Sequence, residues 1–354
     1  MLSQQEIARY SKQIILPEFR TEGQQKLRAA KVLVIGAGGL GCPILQYLTA
    51  AGVGTIGVAD GDQVAISNLQ RQVLYTEDEV GQLKAEVAAG KLEKQNPHVH
   101  FQIHPCFIDT SNALHILAEY DLIIDGSDNF ATRYLVNDAC VILGKPFVSG
   151  AIYKYEGQVS VFNYQGGPTY RCLFPEPPGE NESPNCADIG VIATLPGIIG
   201  SIQASEAIKI ITGLGDVLSG RLLVMDTLSM NTYTFNFSLN EANKNISTLT
   251  NIPQYCNAAP QLISYTRLQE MISLNPALQL IDVREVSEHT SRNIGGTNIP
   301  LSGLSNSSHL DPTATTILYC ASGVRSQKAA ALLAGQGFTD VYSLENGING
   351  LLAL

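Results

Sequence analysis

The sequence predicts an α/β protein in which a large, mostly parallel sheet with an antiparallel extension is followed by a smaller α/β domain. Short β-branched runs alternate with amphipathic segments over about the first 150 residues, a pattern typical of a parallel sheet covered by helices. A second group of strand and helix patterns follows a stretch rich in Asn, Ser, Thr and Pro between about residues 240 and 260.

Five runs predict the parallel strands of the first domain: KVLVIG (31–36), TIGVAD (55–60), VHFQIH (99–104), LIIDGS (122–127) and PFVSGA (146–151). Beyond them, GQVSVFNY, RLLVMDTL and TYTFNFSL indicate antiparallel strands that extend the same sheet. The apolar segment IGVIATLPGIIGSIQASEAIKII contains Pro196, Gln203 and Glu206, so it predicts a buried helix rather than a membrane span.

The second domain is predicted from a helix at SYTRLQEMIS, strands at QLIDVR, TILYC and DVYSLE, and a helix over 326–336. We therefore expect a nucleotide-binding domain at 1–245, a linker at 246–260 and a small α/β domain at 261–354.

Composition limits the partners and the compartment. The 354 residues carry a formal net charge of -10 and no Lys/Arg run, which disfavours a nucleic-acid partner. Seven scattered cysteines with no signal-peptide pattern ahead of them predict a reducing, cytoplasmic location. Small-molecule and protein partners stay open.

The segment GAGGLG lies between a predicted strand and a predicted helix and supplies Gly36, Gly38, Gly39 and Gly41. Asp60 ends the next predicted strand. This is the Rossmann-like fingerprint, in which the glycines let the backbone approach phosphate and the acid binds ribose hydroxyls. The alternative is that the glycines only permit tight packing.

Polar residues that follow the fingerprint indicate the type of reaction. Asn68, Arg71 and Lys84 follow Asp60, and Asp128 follows the fourth predicted strand. Two cations and a carboxylate beside a phosphate site suit phosphoryl or nucleotidyl transfer, with the acid holding Mg²⁺. The alternatives are a solvated polar face and an NAD-dependent oxidoreductase.

Eight motifs resemble, in order and spacing, the ubiquitin-activating-like adenylyltransferases that charge sulfur-carrier proteins, above all the molybdopterin-synthase adenylyltransferases and their sulfurtransferase-fused relatives. They are RYSKQIILPEF, VLVIGAGGLGCP, NLQRQ, GQLKAE, SDNFATR, EGQVSVF, YRCLFPEPP and GSIQASEAIK. The resemblance implies that the C-terminal glycine carboxylate of a ubiquitin-like carrier attacks ATP, which gives an acyl adenylate and pyrophosphate.

The resemblance also implies residue roles. The glycine loop holds phosphate, Asp60 holds ribose, and Asn68, Arg71 and Lys84 hold the triphosphate, while Asp128 and Asn129 lie at the Mg²⁺ and nucleotide. The family uses an N-terminal arginine that reaches the ATP of a partner subunit, which implies a homodimer. Lys12 stands at that position and keeps the charge without the bidentate fork.

Cys172 and Cys256 bear on whether the chain binds structural zinc, and Cys186 bears on whether it has a second reactive thiol. Relatives carry two Cys-x-x-Cys pairs that bind zinc, whereas this chain has Thr169 before Cys172 and only Cys256 in the second region, so we expect no structural zinc. Cys186, ahead of the apolar helix, matches a cysteine that forms a thioester or a disulfide in the family; an idle thiol is the alternative.

The segment ILYCASGVRSQKA places Cys320 in a loop between a predicted strand and a predicted helix, with Arg325 five residues later. Inward N–H groups, a helix N-terminus and the arginine favour a thiolate or persulfide at Cys320. Its Cys-x4-Arg spacing is one residue tighter than a phosphatase loop and suits a single sulfur atom.

Residues 261–354 resemble the rhodanese family through LQLIDVREVSEH, GGTNIPL, YCASGVRSQKAAALL and GFTDVYSLENGI. Asp282 and Arg284 match the family, whereas Asn293 and Gly295 depart from its pattern. The resemblance implies that a persulfide donor loads Cys320, whose sulfur then converts the adenylate to a thiocarboxylate. Molybdenum-cofactor, thiamine and tRNA-thiolation pathways stay open, as does a non-catalytic scaffold that binds a ubiquitin-like protein.

Overall fold

The computed structural model describes residues 2–177, 190–250, 261–275, 278–304, 310–336, 338 and 340–352. The chain divides into two compact units, Met1–Ile252 and Pro253–Leu354. Cys186, Cys256 and most of the predicted linker lie outside the described residues.

Eight described strands form the sheet of the first unit: β1 (Lys31–Ile35), β2 (Thr55–Ala59), β3 (His100–His104), β4 (Leu122–Asp125), β5 (Phe147–Tyr153), β6 (Glu156–Phe162), β7 (Arg221–Asp226) and β8 (Asn231–Asn236). Their spatial order is β3-β2-β1-β4-β5-β6-β7-β8. Pairing is parallel from β3 to β5 and antiparallel from β5 to β8. The predicted parallel sheet with an antiparallel extension is confirmed.

The helices of the first unit are α1 (Gln4–Arg9), α2 (Ser11–Ile14), α3 (Arg20–Ala29), α4 (Gly41–Ala51), α5 (Lys84–Gln95), α6 (Ala113–Ala118), α7 (Phe130–Leu143), α8 (Tyr170–Leu173) and α9 (Thr194–Thr212). The apolar segment predicted as a buried helix is α9, which packs against α4, β5 and β6. No described helix combines the length and the apolar character that crossing a bilayer requires.

Helices cover both faces of this sheet because its central strands are apolar on both faces. On β1, Val32 and Val34 belong to one core cluster, and Leu33 and Ile35 belong to another. Successive strand side chains point to opposite faces, so the run KVLVI builds both layers at once. The same continuous burial extends over β4.

The second unit has a parallel sheet of described strands β9 (Gln261–Ile263), β10 (Gln279–Asp282), β11 (Thr297–Asn298), β12 (Thr316–Tyr319) and β13 (Val341–Leu344). Their order is β11-β10-β12-β13-β9. Its helices are α10 (Tyr265–Leu274), α11 (Val286–Ser291) and α12 (Val324–Gly335).

Sequence patterning missed two strands of the second unit and misplaced one helix end. Strands β9 and β11 have three and two residues, too few for a period of two to show. Helix α12 begins at Val324 rather than at Ser326, because Gly323 adopts φ +89° and turns the chain directly into the helix.

Candidate active site

The glycine loop runs from the carboxyl end of β1 to the start of α4. At two of its glycines, neighbouring backbone leaves no room for a side chain. Gly36 has φ +87°, and a Cβ at this position would lie 2.9 Å from the Gly126 carbonyl oxygen. At Gly41, a Cβ would collide with the Gly36 carbonyl. Protein packing therefore accounts for these two glycines, as the alternative interpretation of the motif proposed.

Gly38 differs from its neighbours because the space beside it is open. A Cβ at Gly38 would have a single neighbour within 4 Å, the Nε2 of Gln72 at 3.4 Å. A Cβ at Gly39 would lie 3.1 Å from Pro196 Cβ and 3.6 Å from Arg71 Cγ. The loop thus presents bare backbone at Gly38, with Arg71 lying next to it.

Asp60, at the carboxyl end of β2, is tied to the glycine loop. Its Oδ2 accepts the Ala37 N–H at 2.7 Å, and its Oδ1 accepts the Asp62 N–H at 2.8 Å. Burial raises the pKa of Asp60, while the Lys84 ammonium and these N–H groups oppose the shift. Each carboxylate oxygen has a second lone pair, so Asp60 can still accept from ribose hydroxyls.

The cations lie on the segment that follows β2. Asn68 ends a short 3-10 helix, and its carbonyl accepts the Arg71 N–H at 3.1 Å. Arg71 Nη1 donates to the Ser67 carbonyl at 3.1 Å, which holds the half-buried guanidinium beside the loop. Lys84 begins α5, is 4% exposed, and places Nζ 3.0 Å from the Asp62 carboxylate. Two positive charges therefore flank the loop.

Asp128 and Asn129 follow β4 and lie at the N-terminus of α7, at the same edge of the sheet. Asn129 caps α7 by accepting the Thr132 N–H at 2.8 Å, and Asp128 is exposed. Because β1, β2 and β4 are parallel neighbours, their carboxyl ends bring the glycine loop, Asp60 and Asp128 to one edge.

The sequence analysis missed three buried side chains at this edge: Gln72, Asp125 and Arg133. Burial raises the pKa of Asp125, and the Arg133 guanidinium opposes the shift. Arg133 Nη2 donates to the Ser127 carbonyl at 3.3 Å. Gln72 and Arg133 belong to the quoted motifs NLQRQ and SDNFATR, so the signal was present without being assigned to them.

The residues at this edge fit a nucleotide. Gln72 is 4% exposed and borders Gly38, yet its Oε1 has no hydrogen-bond partner among the described residues. A buried polar atom without a partner is costly, and a bound polar ligand would satisfy it. Asp128 fits Mg²⁺, which takes one or two protein carboxylates and completes its shell with phosphate oxygens and water.

Lys12 does not lie beside the glycine loop of its own chain. It is exposed on α2 and lines a cleft of about 360 Å³ together with Arg9, Tyr47, Ser201 and Ser205. Lys12 is therefore exposed on the surface of the first unit.

In the second unit, Cys320 directly follows β12 and is fully buried. Its Sγ accepts the Gly323 N–H at 3.2 Å and lies 3.6 Å from Ser326 Oγ. Ser326 also donates to the Gly323 carbonyl at 3.0 Å and accepts from Ser343 Oγ at 2.8 Å. Among the described residues, the Gly323 N–H donates to the sulfur, and the Ser326 hydroxyl, which Ser343 supports, lies beside it; sequence reasoning did not single out either serine.

Arg325 is held by an acid that the sequence analysis did not single out. Glu288 of α11 binds it in bidentate fashion, at 2.6 Å to Nη1 and 2.7 Å to Nη2. This pair raises the pKa of Arg325 and lowers the pKa of Glu288 to about 2. The guanidinium charge therefore has a fixed position near Cys320.

Asp282 and Arg284 form a second ion pair at the carboxyl end of β10. Arg284 donates from Nε to Oδ1 of fully buried Asp282 at 2.9 Å and from Nη2 to Oδ2 at 2.6 Å, and His289 Nδ1 lies 2.9 Å from Oδ2. Burial opposes ionisation of Asp282, but these hydrogen bonds outweigh it and lower the pKa. The pair anchors α11, and with it Glu288.

Among the other described cysteines, Cys42 and Cys140 are buried in the core and Cys106 is half-buried. Burial raises the pKa of Cys42 to about 12, which keeps this thiol protonated. Cys172 is half-buried in α8, and Thr169 Oγ1 lies 3.4 Å from its sulfur.

Comparison with known proteins decides the family. The ThiF family model matches residues 10–248, and the rhodanese-like domain model matches residues 264–354. The chain belongs to the ThiF family. This ThiF-family chain is therefore an adenylyltransferase that carries a rhodanese-like sulfurtransferase domain, and the resemblances found in the sequence are confirmed.

Two curated relatives with both activities in their names align over nearly all of the ThiF-family chain, and a third, named for adenylyl transfer, aligns over about two thirds of it. A probable adenylyltransferase/sulfurtransferase MoeZ of Mycobacterium tuberculosis is 43% identical over 98% of this chain and 93% of its own. An adenylyltransferase and sulfurtransferase MOCS3 of Drosophila sechellia is 40% identical over 93% and 79%. A sulfur carrier protein adenylyltransferase of Thermus thermophilus is 52% identical over 64% and 85%. These names favour adenylyl transfer over the oxidoreductase and scaffold alternatives.

A solved structure supports the fold of the ThiF-family chain. The crystal structure of E. coli MccB with ATP has a TM-score of 0.59 and 23% identity, covering 68% of this chain and 73% of that one. At this identity the likeness concerns the fold alone.

Proposed function

We propose that the enzyme uses Mg-ATP to adenylate the C-terminal glycine of a ubiquitin-like sulfur-carrier protein. The carrier carboxylate attacks the α-phosphorus of ATP and pyrophosphate leaves, which converts a poor electrophile into a reactive acyl adenylate. The observation that carries this proposal is the single sheet edge that collects the open backbone at Gly38, two cations and Asp128.

Each residue at that edge has a role in the proposal. The N–H groups at Gly38 and Gly39 hold phosphate oxygens, Gly36 and Gly41 give the loop the close packing that exposes them, and Asp60 holds ribose. Arg71 and Lys84 stabilise the negative charge that moves onto pyrophosphate, with Asn68 as a neutral donor beside them. Asp128, next to Asn129, would hold Mg²⁺, which neutralises phosphate charge when bound.

Replacing Arg71 by alanine tests the adenylation half. We expect ATP–pyrophosphate exchange that depends on a ubiquitin-like carrier to fall by at least about 100-fold, since a charge that binds the transferred group is lost. Arg267→Ala is the matched control, because Arg267 is exposed in the second unit and its ion pair among the described residues is a surface pair with Glu270. Unchanged exchange in Arg71→Ala would refute the assignment.

We further propose that a persulfide on Cys320 supplies the sulfur. Its outer sulfur attacks the acyl carbon of the adenylate and AMP leaves, which gives an acyl disulfide. The Cys186 thiolate then attacks the Cys320 sulfur, releases the carrier thiocarboxylate and leaves a Cys186–Cys320 disulfide that a cellular thiol reduces. Arg325 and the loop N–H groups stabilise the sulfur anion.

Replacing Cys320 by alanine separates the two halves. Pyrophosphate exchange should persist, whereas thiocarboxylate formation with thiosulfate or a persulfide donor as the only sulfur source should stop. Thiocarboxylate formed at the full rate by Cys320→Ala would refute the coupled scheme, while loss of exchange in the same variant would indicate a folding defect.

The proposal includes the domain boundaries 1–245, 246–260 and 261–354, a cytoplasmic location, and a molybdenum-cofactor or related sulfur pathway. It also includes a homodimer in which Lys12 reaches the ATP of the partner subunit.

Mixing Lys12→Ala protein with Arg71→Ala protein tests the dimer, because a mixed dimer has one site with both residues intact. Exchange activity above that of either variant alone supports it, and no recovery argues against it. Thiamine and tRNA-thiolation pathways are the alternatives.

A further inference from the structure

The sulfur of Cys172 is the meeting point of two segments that are far apart in sequence. Cys172 lies on α8, and a short 3-10 helix, Glu241–Lys244, follows β8. Sγ accepts the Asn240 N–H at 3.3 Å and the Asn243 Nδ2–H at 3.6 Å, and it lies 3.8 Å from the Asn240 carbonyl oxygen. Thr169 Oγ1, fully buried, lies 3.4 Å from the same sulfur.

This donor set does not fit zinc. A structural zinc ion needs four electron-pair donors that converge on one point, usually thiolate or imidazole. Here Cys172 is the one thiol of the set, and Asn240 and Asn243 face it with N–H groups, which have no electron pair to give a cation. Among the described residues, no group of three or more His, Cys, Asp or Glu side chains could hold a metal.

We propose that these hydrogen bonds replace a structural zinc ion as the tie between α8 and the chain that leaves β8. Four groups take part: Thr169, Cys172, Asn240 and Asn243. The same sulfur that would serve as one ligand of a metal site here accepts hydrogen bonds from across the gap.

The electrostatics of Cys172 agree with this arrangement. Burial opposes ionisation of the thiol, but hydrogen bonds from Thr169, Asn240 and Asn243 outweigh it and lower the pKa of Cys172. A sulfur with more negative charge accepts stronger hydrogen bonds from the N–H groups that face it.

The segment that contains Cys172 is also hydrogen-bonded to α7. Tyr170, one residue into α8, donates its N–H to Asn137 Oδ1 of α7 at 2.8 Å. Tyr134, also on α7, donates its hydroxyl to the Glu176 carbonyl at 2.6 Å, and the Phe174 carbonyl oxygen lies 3.1 Å from the same hydroxyl. The tie and these bonds together fix the chain as far as Glu176.

Zinc analysis of the full chain gives the first test. We expect less than about 0.1 zinc per chain after purification without chelator, and a melting temperature that a chelator leaves unchanged. One zinc per chain, with unfolding on chelation, would overturn the proposal.

The reverse experiment installs thiolates where the N–H donors now lie. In the double variant Thr169→Cys/Asn243→Cys, three thiols surround one point, and we expect it to bind one zinc or cobalt ion, the latter with thiolate-to-cobalt absorption. No metal uptake by this variant, while it remains folded, would show that the four groups do not occupy a zinc position and would overturn the proposal.

Hydrogen exchange measured by mass spectrometry tests the tie itself. In Cys172→Ala we expect amide exchange to quicken by about tenfold in both 170–177 and 238–245, because the tie is lost on both sides. Cys106→Ala, another half-buried thiol in the same unit, is the matched control and should leave both segments unchanged. Unchanged exchange in Cys172→Ala would refute the tie, whatever the zinc content.

Discussion

Replacing Gly41 by alanine should damage nucleotide binding without touching a side chain that contacts the nucleotide. A Cβ at Gly41 would lie 2.0 Å from the Gly36 carbonyl oxygen, whereas Cβ atoms essentially never approach other atoms more closely than 3.0 Å, so that carbonyl must retreat by about 1 Å. Gly36 is fixed on its other side, because its N–H donates to the Ala59 carbonyl at 2.8 Å. The glycine loop must therefore distort.

The expected size of the effect follows from that displacement. Overpacking of this kind costs about 1–3 kcal/mol in stability. Misplacing a binding group by about 1 Å costs on the order of 100-fold, so we expect affinity for Mg-ATP to fall at least tenfold, or about 1.4 kcal/mol. Isothermal titration of the full chain with Mg-ATP measures this change, and circular dichroism confirms that the variant is folded.

The matched control for this experiment is Gly90→Ala, in the middle of α5. A Cβ at Gly90 would meet nothing within 4 Å. Because alanine has a higher helix propensity than glycine, Gly90→Ala should raise the free energy of unfolding by about 0.5–1 kcal/mol and leave the affinity for Mg-ATP unchanged. If Gly41→Ala fails to fold, Gly39→Ala gives a milder test, because its Cβ would meet Pro196 Cβ at 3.1 Å. Affinity within twofold of wild type in a folded Gly41→Ala protein would refute the reasoning.

Two further predictions concern the second unit. The pKa of Glu288 is about 4.5 in the unfolded chain and about 2 in the folded protein. The stability that its pair with Arg325 contributes is therefore complete above pH 4.5 and is lost as the pH falls toward 2. Glu288→Gln should remove that part of the pH dependence, as measured by hydrogen exchange of α11 and α12 between pH 4.5 and 2; identical profiles would contradict the pairing. Ser343→Ala removes the hydrogen bond to Ser326, worth about 1 kcal/mol, and should slow sulfur loading of Cys320 from thiosulfate about fivefold. Ser273→Ala, an exposed serine of α10, should load normally, and an equal rate in Ser343→Ala would exclude a role for the hydroxyl pair.

Local pattern was enough to predict most of the fold and the two loops. The run KVLVIG followed by GAGGLG contains a buried strand, a tight turn and a helix start within eleven residues, so neighbours in sequence specify it. The same holds for TILYC followed by ASGVR around Cys320. Strand runs, glycines and a cysteine at a helix start are visible without knowledge of the fold, because each depends on residues a few positions apart.

Tertiary structure alone decided which distant side chains meet at these loops. Glu288 and Arg325 are 37 residues apart, and Asn240 is 68 residues from Cys172, so no sequence period relates them. Sequence reasoning assigned Arg325 directly to the sulfur and looked to Cys256 for the partner of Cys172. The structure adds Glu288 as the acid that holds Arg325 and places two asparagines on Cys172, while Cys256 lies outside the described residues. Ion pairs and hydrogen bonds of this kind depend on distances in space, which the chain sets only when its sheets and helices have packed.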